Sequence, residues 1–251
     1  MKQKGFSLIE LSIVISIMAL LIAGIVGGSK LISSAKLSKL MKDLRQIETE
    51  IGQFVMTYDA YPGDYDDAYA VFGTACYNNT NDCNGDGNGQ IRWDTPSYDT
   101  FNVGEAIQVW KHLKLANISS FSPNYDGPSD NPAGFPVGKT HGIKGLSMPD
   151  SKIKGGYFVF YSDGSWTNGA GRTVDNNVVT YAEEDIGQPD TYNMKITDVY
   201  NLDKKHDDGD PLDGKIWTEN PSCRKDYAVT EGYELSDTSI LCNIIYVLTE
   251  F

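Results

Sequence analysis

The chain has 251 residues, 40% of them hydrophobic, and a formal net charge of −13. Such a surface repels the phosphates of nucleic acid, so no direct nucleic-acid binding is expected. Only three histidines are present, His112, His141 and His206, and none sits in a catalytic spacing. Phosphate loops, nucleophile elbows and zincin helices are missing as sequence patterns, and an enzyme is not expected. In chain order, Met1 to Gly5 (MKQKG) is a basic leader ending in glycine. Phe6 opens an apolar run, FSLIELSIVISIMALLIAGIVGGS, interrupted by one charge, Glu10. The uncharged stretch Leu11 to Ser29 is 19 residues long, about what a helix needs to cross a bilayer's hydrocarbon core. A carboxylate inside such a segment costs roughly 2.5–3.5 kcal/mol at mid-bilayer and less near the interface, a cost more often kept for function than by accident.

The run Lys4-Gly5-Phe6-Ser7-Leu8-Ile9-Glu10-Leu11 resembles, without a gap, the K-G-F-[ST]-L-[IV]-E-L processing signature of type IV pilins and of type II secretion pseudopilins. The resemblance implies cleavage between Gly5 and Phe6 by a membrane-embedded prepilin peptidase, N-methylation of Phe6 and assembly into a helical filament. It covers about the first 60 residues in detail. Coulomb attraction in a low-dielectric layer supports the same reading. The Glu10 carboxylate of one subunit can neutralise the new Phe6 amine of its neighbour and so set the axial step. A secretory signal peptide is the rival reading of this segment. Its apolar region would span 7–15 residues before a small-residue cleavage site. Here the run is longer and the processing glycine precedes it, although Ala23-Gly24 and Gly27-Gly28-Ser29 imitate such a site. Lys2 and Lys4 place the N-terminus in the cytoplasm by the positive-inside rule, and Lys30 and the lysines from 36 to 42 weaken that rule.

Helical spacing continues beyond the span through Leu37, Leu40, Met41, Leu44, Ile47, Ile51, Phe54 and Val55. The expected organisation is a leader at 1–5, a long helix at 6–60 and a globular head at 61–251. Within the helix, about 8–29 is transmembrane and 30–58 is amphipathic. The helix would run roughly 80 Å from Phe6 to Tyr58 at 1.5 Å per residue, with Pro62-Gly63-Asp64 as its stop. Gly24, Gly27 and Gly28 are its weak points, each costing about 1 kcal/mol relative to alanine. Gly27 stands near where many type IVa pilins carry a helix-breaking proline.

The head reads as loop-heavy α+β. A second helix is expected within Phe101 to Ile118, with Ile107, Trp110 and Leu113 facing the core, and another near Thr197, whose side chain is placed to cap it. Strands are expected at Gly156 to Tyr161, Val178 to Ala182 and Ser239 to Leu248, the last by its β-branched content. The fold class implied is α+β and pilin-like: a long N-terminal helix packed on a C-terminal antiparallel sheet with long loops. Cys76, Cys83, Cys223 and Cys242 form an even set with no C-x-x-C. That suits two disulfides in an oxidising compartment better than zinc, with three connectivities open.

Two acidic stretches point to a hard cation, calcium. In the first, Asn84, Asp86 and Asn88 precede Gly89 and Ile91 as in the opening of a calcium loop. The usual closing glutamate is absent, Thr95 standing in its place with Asp94 just before, and Asp82 can supply charge. The competing reading is a Gly/Asn turn tied by a Cys76–Cys83 disulfide. The second stretch holds Asp203, Asp207, Asp208, Asp210 and Asp213. It loosely resembles the late acidic loop of large pilin-like proteins, and a solvated acidic turn competes with the cation there too.

The resemblance implies a non-enzymatic filament subunit. Its partners would be other copies of itself, the prepilin peptidase, an inner-membrane assembly platform and a separate assembly ATPase. The single-pass precursor would lie in the bacterial inner membrane with a periplasmic head, before joining a pilus or pseudopilus. A type IV pilin, a pseudopilin and a minor or tip subunit stay open. So does a membrane-tethered periplasmic binding module that never polymerises.

Overall fold

The structure, a computed structural model, describes residues 7–76, 83–92, 105–121, 149–151, 155–163, 175–182, 194–218, 220–225 and 232–251. The chain divides into two compact units, Met1–Met41 and Lys42–Phe251. One helix, α1 (Leu8–Tyr58), contributes to both.

From Leu8 to Ile32, within the first unit, the large apolar side chains are exposed: Leu8 is 87% exposed, Leu20 74% and Ile25 70%. An apolar surface of that extent needs lipid or other apolar helices around it. α1 is the one helix, among the described residues, long and apolar enough to cross a membrane. It runs unbroken through Gly24, Gly27 and Gly28, where an added Cβ would meet nothing within 4 Å.

In the second unit the character of α1 changes. Leu44, Ile47, Ile51 and Phe54 are fully buried, and their three- and four-residue spacing makes one stripe. Each such side chain contributes about 1.5–3 kcal/mol on burial. The helix ends at Tyr58, and Asp59 follows in the left-handed region, its N–H donating to the Val55 carbonyl.

The head contains α2 (Ala68–Phe72) and α3 (Glu105–Leu115), then strands β1 (Asp150–Ser151), β2 (Gly155–Asp163), β3 (Asp175–Ala182) and β4 (Met194–Lys195). After these come α4 (Ile196–His206), β5 (Ile216–Trp217), β6 (Leu241–Cys242) and β7 (Ile244–Val247). Strands β1, β2, β3, β7 and β5 form one antiparallel sheet in that order, while β4 pairs with β6. The lower half of α1 packs on this sheet. The Tyr157 hydroxyl of β2 donates to Asp43 at 2.8 Å, and that of Tyr246 on β7 donates to Glu48 at 2.7 Å. The arrangement is α+β and pilin-like.

Two expectations need correction. The segment from Ser239 to Leu248 is not one strand: Asn243 separates β6, which pairs with β4, from β7, which pairs with β3 and β5. Asn243 is fully buried and its side-chain oxygen accepts from the Thr218 hydroxyl at 3.1 Å. Thr197 does not cap α4. The helix starts at Ile196, whose N–H donates to the Ile240 carbonyl at 3.1 Å, so a neighbouring chain segment satisfies the helix start instead of a side chain. The second helix forms within the stretch from 101 to 118, as α3; its Trp110 and Leu113 are buried, and the side chain of Ile107 lies outside the described residues. The strands expected at Gly156 to Tyr161 and Val178 to Ala182 form, each somewhat longer than the sequence pattern marks.

Candidate functional site

At the N-terminus of α1, Ser7 and Glu10 form a capping box. The Ser7 N–H donates to Glu10 Oε2 at 2.8 Å, and the Ile9 N–H donates to Ser7 Oγ at 3.2 Å. Two of the four backbone donors that a helix start leaves unpaired are thereby used. Reading Glu10 as a charge alone misses this role, although the S-x-x-E spacing ahead of an apolar run carries the signal. Gly5 and Phe6 lie outside the described residues.

Around the first acidic loop the chain brings in two carboxylates that the loop's own sequence does not contain. Asp64, just after α1, is 1% exposed. Its Oδ1 accepts from the N–H groups of Gly87 and Asn88 at 2.8 and 3.1 Å, and its Oδ2 from that of Gly89 at 2.7 Å. Glu105, in the first turn of α3, accepts from the Asp86 N–H at 3.0 Å and the Arg92 N–H at 2.7 Å. Carboxylate oxygens of Asp64, Asp86 and Glu105 lie within 4.8 Å of one another. Asn84 is turned away, its Oδ1 taking the Tyr69 N–H at 2.7 Å and its amide donating to the Asp66 carbonyl. Asn88 Oδ1 accepts from the Gln90 N–H at 2.8 Å. Asp82 and Asp94 lie outside the described residues. Burial pushes Asp64 up to about 6 and Glu105 up to about 7, in both cases against the hydrogen bonds they accept and with Asp86 nearby adding to the rise.

The second acidic stretch draws together Asp203, Asp207 and Asp208, again with oxygens within 4.8 Å. Asp203, fully buried on α4, accepts from the Tyr233 hydroxyl at 2.7 Å and the Gly209 N–H at 3.0 Å. Burial pushes it up to about 7, and Asp208 and Asp207 push the same way. Asp207 Oδ2 accepts from the N–H groups of Lys215 and Ile216, the latter at 2.8 Å, which fixes the start of β5. Gly214 (φ +68°) makes that approach possible, because a Cβ there would stand 2.2 Å from Asp207 Oδ2. Asp210 and Asp213 are spent on their own turn, accepting from the Leu212 and Gly214 N–H groups at 3.0 and 2.9 Å. Next to this loop, Arg45 Nη2 approaches His206 Nδ1 at 3.3 Å. A guanidinium only donates, so that histidine nitrogen is the acceptor.

Disulfides join Cys76 to Cys83 and Cys223 to Cys242, with Cα atoms 5.7 and 6.0 Å apart. His112 is fully buried beside the first. Its Nδ1 accepts from the Gly63 N–H and its Nε2 faces the Cys83 carbonyl, both at 2.9 Å, which fixes the Nε2–H tautomer. With both sulfurs bonded to each other and both ring nitrogens engaged, the Cys76–Cys83–His112 group is a structural brace. Gly63 sits at φ +93°, and a Cβ there would come within 2.4 Å of the Glu105 carbonyl, so the turn below α1 admits only glycine.

Residues 1–26 match the prokaryotic N-terminal methylation motif. The N-terminal segment is thus a prepilin-type signal, the kind typical of type IV pilins and pseudopilins, proteins that are generally not enzymes. The motif implies processing by a prepilin peptidase and handling by an assembly machinery. No curated protein and no solved structure matches the chain.

Proposed function

We propose that this chain is a structural subunit of a type IV pilus or pseudopilus, cleaved between Gly5 and Phe6, N-methylated at Phe6 and polymerised through α1. The observation that carries the reading is α1 itself: a prepilin-type signal runs directly into a helix whose apolar side chains are exposed on every side as far as Ile32. In this reading the helix anchors the precursor in the inner membrane with the head in the periplasm. It then passes into the filament core, where Glu10 pairs with a neighbour's Phe6 amine. The platform and ATPase that drive assembly are separate proteins, and the subunit performs no catalysis.

Intact mass and N-terminal analysis of the membrane-extracted protein tests this. A chain beginning at methylated Phe6 is expected. A chain beginning at Met1 in cells with an active prepilin peptidase points to a simple anchor. A start beyond Ala23 means ordinary secretion and removes the filament reading.

The crowded oxygens of Asp64, Asp86 and Glu105 favour a second element of this reading: a calcium ion held between the end of α1 and the start of α3. Hard oxygen donors of this kind suit calcium, and a cation would relieve the burial of like charges. Asp203, Asp207 and Asp208 offer the same chemistry at a second place. Calorimetric titration of the head with calcium, compared with an Asp64→Asn variant, tests the first site directly. Heat of binding in the parent that the variant lacks is expected; equal heats would remove the proposal.

A further inference from the structure

We infer that Asn88-Gly89 is a latent site of spontaneous succinimide modification, which the Asp64 carboxylate holds shut in the folded head. The stretch from Asn84 to Gly89, NGDGNG, contains two Asn-Gly pairs, and Asn168-Gly169 is another pair in the chain. Glycine has no side chain to crowd its own nitrogen, and its backbone turns freely. In an open chain the glycine nitrogen of such a pair therefore reaches the side-chain carbonyl carbon of the asparagine. It loses its proton to hydroxide and attacks Cγ. The N–Cγ bond forms, the Cγ–Nδ2 bond breaks, and the amide nitrogen leaves as ammonia, taking a proton from water. Water then opens the succinimide ring at either of its carbonyls, leaving aspartate or isoaspartate.

The fold withholds the attacking nitrogen at both pairs of the stretch. The Gly89 N–H donates to Asp64 Oδ2 at 2.7 Å, while Oδ1 of the same carboxylate holds the N–H groups of Gly87 and Asn88 at 2.8 and 3.1 Å. Asp64 is 1% exposed, so this clamp is anchored in the interior. A carboxylate beside the N–H keeps the proton in place, because its charge disfavours the amide anion that the attack requires. The bond also fixes a peptide plane that must rotate to present its nitrogen to Cγ. Asn88 Oδ1 is engaged as well, by the Gln90 N–H at 2.8 Å. At Asn84-Gly85 the partners are different. The Gly85 N–H donates to the Tyr65 carbonyl at 3.0 Å, and the Asn84 side chain accepts from the Tyr69 N–H and donates to the Asp66 carbonyl. A Cβ on Gly85 would stand 2.3 Å from Asp64 Cα, so that peptide has little room to turn. Backbone thus closes Gly85, and a side chain closes Gly89. Asn88 is exposed where Asn84 is half-buried, so hydroxide and water reach Asn88 once Gly89 is released. Its conversion would add a carboxylate to the loop that already gathers Asp64, Asp86 and Glu105, or, as isoaspartate, lengthen the loop's backbone. A head that has stood open would carry that change permanently.

The test incubates the full chain in detergent at mildly alkaline pH with a calcium chelator, and follows each asparagine by peptide mapping and mass spectrometry. In urea, Asn84, Asn88 and Asn168 should convert at comparable rates. In the native parent, Asn88 should convert at least about tenfold more slowly than in urea, since the reaction waits for local opening. The Asp64→Asn variant keeps the shape of the clamp, but an amide nitrogen replaces one acceptor oxygen. With its oxygen on Gly87 and Asn88, that nitrogen faces the Gly89 N–H and the bond is lost. Conversion of Asn88 should then rise about tenfold, the scale set by one hydrogen bond to a charged group, while Asn84 stays as slow as in the parent. Equal rates for Asn88 in the native parent and in urea would overturn the inference. So would an Asp64→Asn variant that protects Asn88 as the parent does, or a folded variant in which Asn84 and Asn88 speed up together. Should the variant not fold, hydrogen exchange of the parent decides: a Gly89 amide protected like those of Gly85 and Gly87 is expected, and free exchange at Gly89 would overturn the clamp.

Discussion

Glu10 has two roles that one substitution to alanine would confuse. It closes the capping box on Ser7, and in the filament reading it neutralises a neighbour's amine. Glutamine keeps the first role, because Gln also serves in capping boxes, and removes the charge. Glu10→Gln should therefore leave α1 and its membrane insertion unchanged and abolish filaments, judged by electron microscopy of sheared material; filaments at parental yield would contradict the charge role. His112 offers a pH test. Burial holds it down to about 4, with Lys111 pushing the same way, against the Cys83 carbonyl. Its unfolded value is near 6.5. A group depressed on folding contributes stability that is complete above the unfolded value. That contribution is lost as pH falls towards the folded one. Between about pH 6.5 and 4 the parent should lose up to about 1.4 kcal/mol per pH unit from this residue. A His112→Gln variant should show a correspondingly flatter slope in urea unfolding. Glu48 is the third case. Burial alone would raise it, but hydrogen bonds from Lys215, Thr249 and Tyr246 outweigh burial and hold it below the usual range. Glu48→Ala should cost about 2–3 kcal/mol, since hydrogen bonds to charged groups are worth about 1.5–3 kcal/mol, read as a lower urea midpoint.

At the scale of elements, α1 was the most legible part of the chain. Its apolar run, its change to an amphipathic stripe at Leu40 to Phe54 and its stop before Pro62 are all periodic or local signals. Strands β2 and β3 were legible for the same reason, carrying aromatic and β-branched residues in runs. Strands β1, β4 and β5 have two residues each and leave no period to read. The break at Asn243 depends on Thr218, and the start of α4 depends on Ile240, so neither is written locally. The acidic site divides the same way. Asp86 and Asn88 stand in a recognisable loop, but Asp64 reads as part of a helix stop and nothing in the sequence marks Glu105 as a site residue. Only the fold brings them together. The glycines of α1 give an element-scale prediction. A Cβ at Gly27 or Gly28 meets nothing, so Gly27→Ala/Gly28→Ala should stiffen the helix by about 1 kcal/mol per site. Filament yield will fall if assembly requires local unwinding there. Unchanged yield with higher helicity by circular dichroism would show that α1 assembles intact.

For the whole molecule, the buried carboxylates link stability to pH and, in the proposed calcium reading, to calcium as well. Asp64 and Glu105 are raised on folding. Without a cation, their contribution is present at low pH and is lost as pH rises through about 6 to 7. Calcium should reverse that loss. At pH 8 and a hundredfold excess over its Kd, it would add about 2.7 kcal/mol, or about 5–10 °C in Tm for a head of this size. At pH 5 protons compete and the shift should shrink; an equal shift at both pH values would argue against these ligands.

Glu48 has a further, mechanical consequence. The helix that carries the apolar anchor is continuous with the stripe of Leu44, Ile47, Ile51 and Phe54 in the head core. Through Glu48 it is also tied to Lys215, Tyr246 and Thr249 near the C-terminus. A pull along α1 loads these contacts in parallel, as shear, so the helix cannot slide free while the head stays folded. In the filament reading, the head's own unfolding rather than slippage of the helix would then set the tension that the subunit withstands.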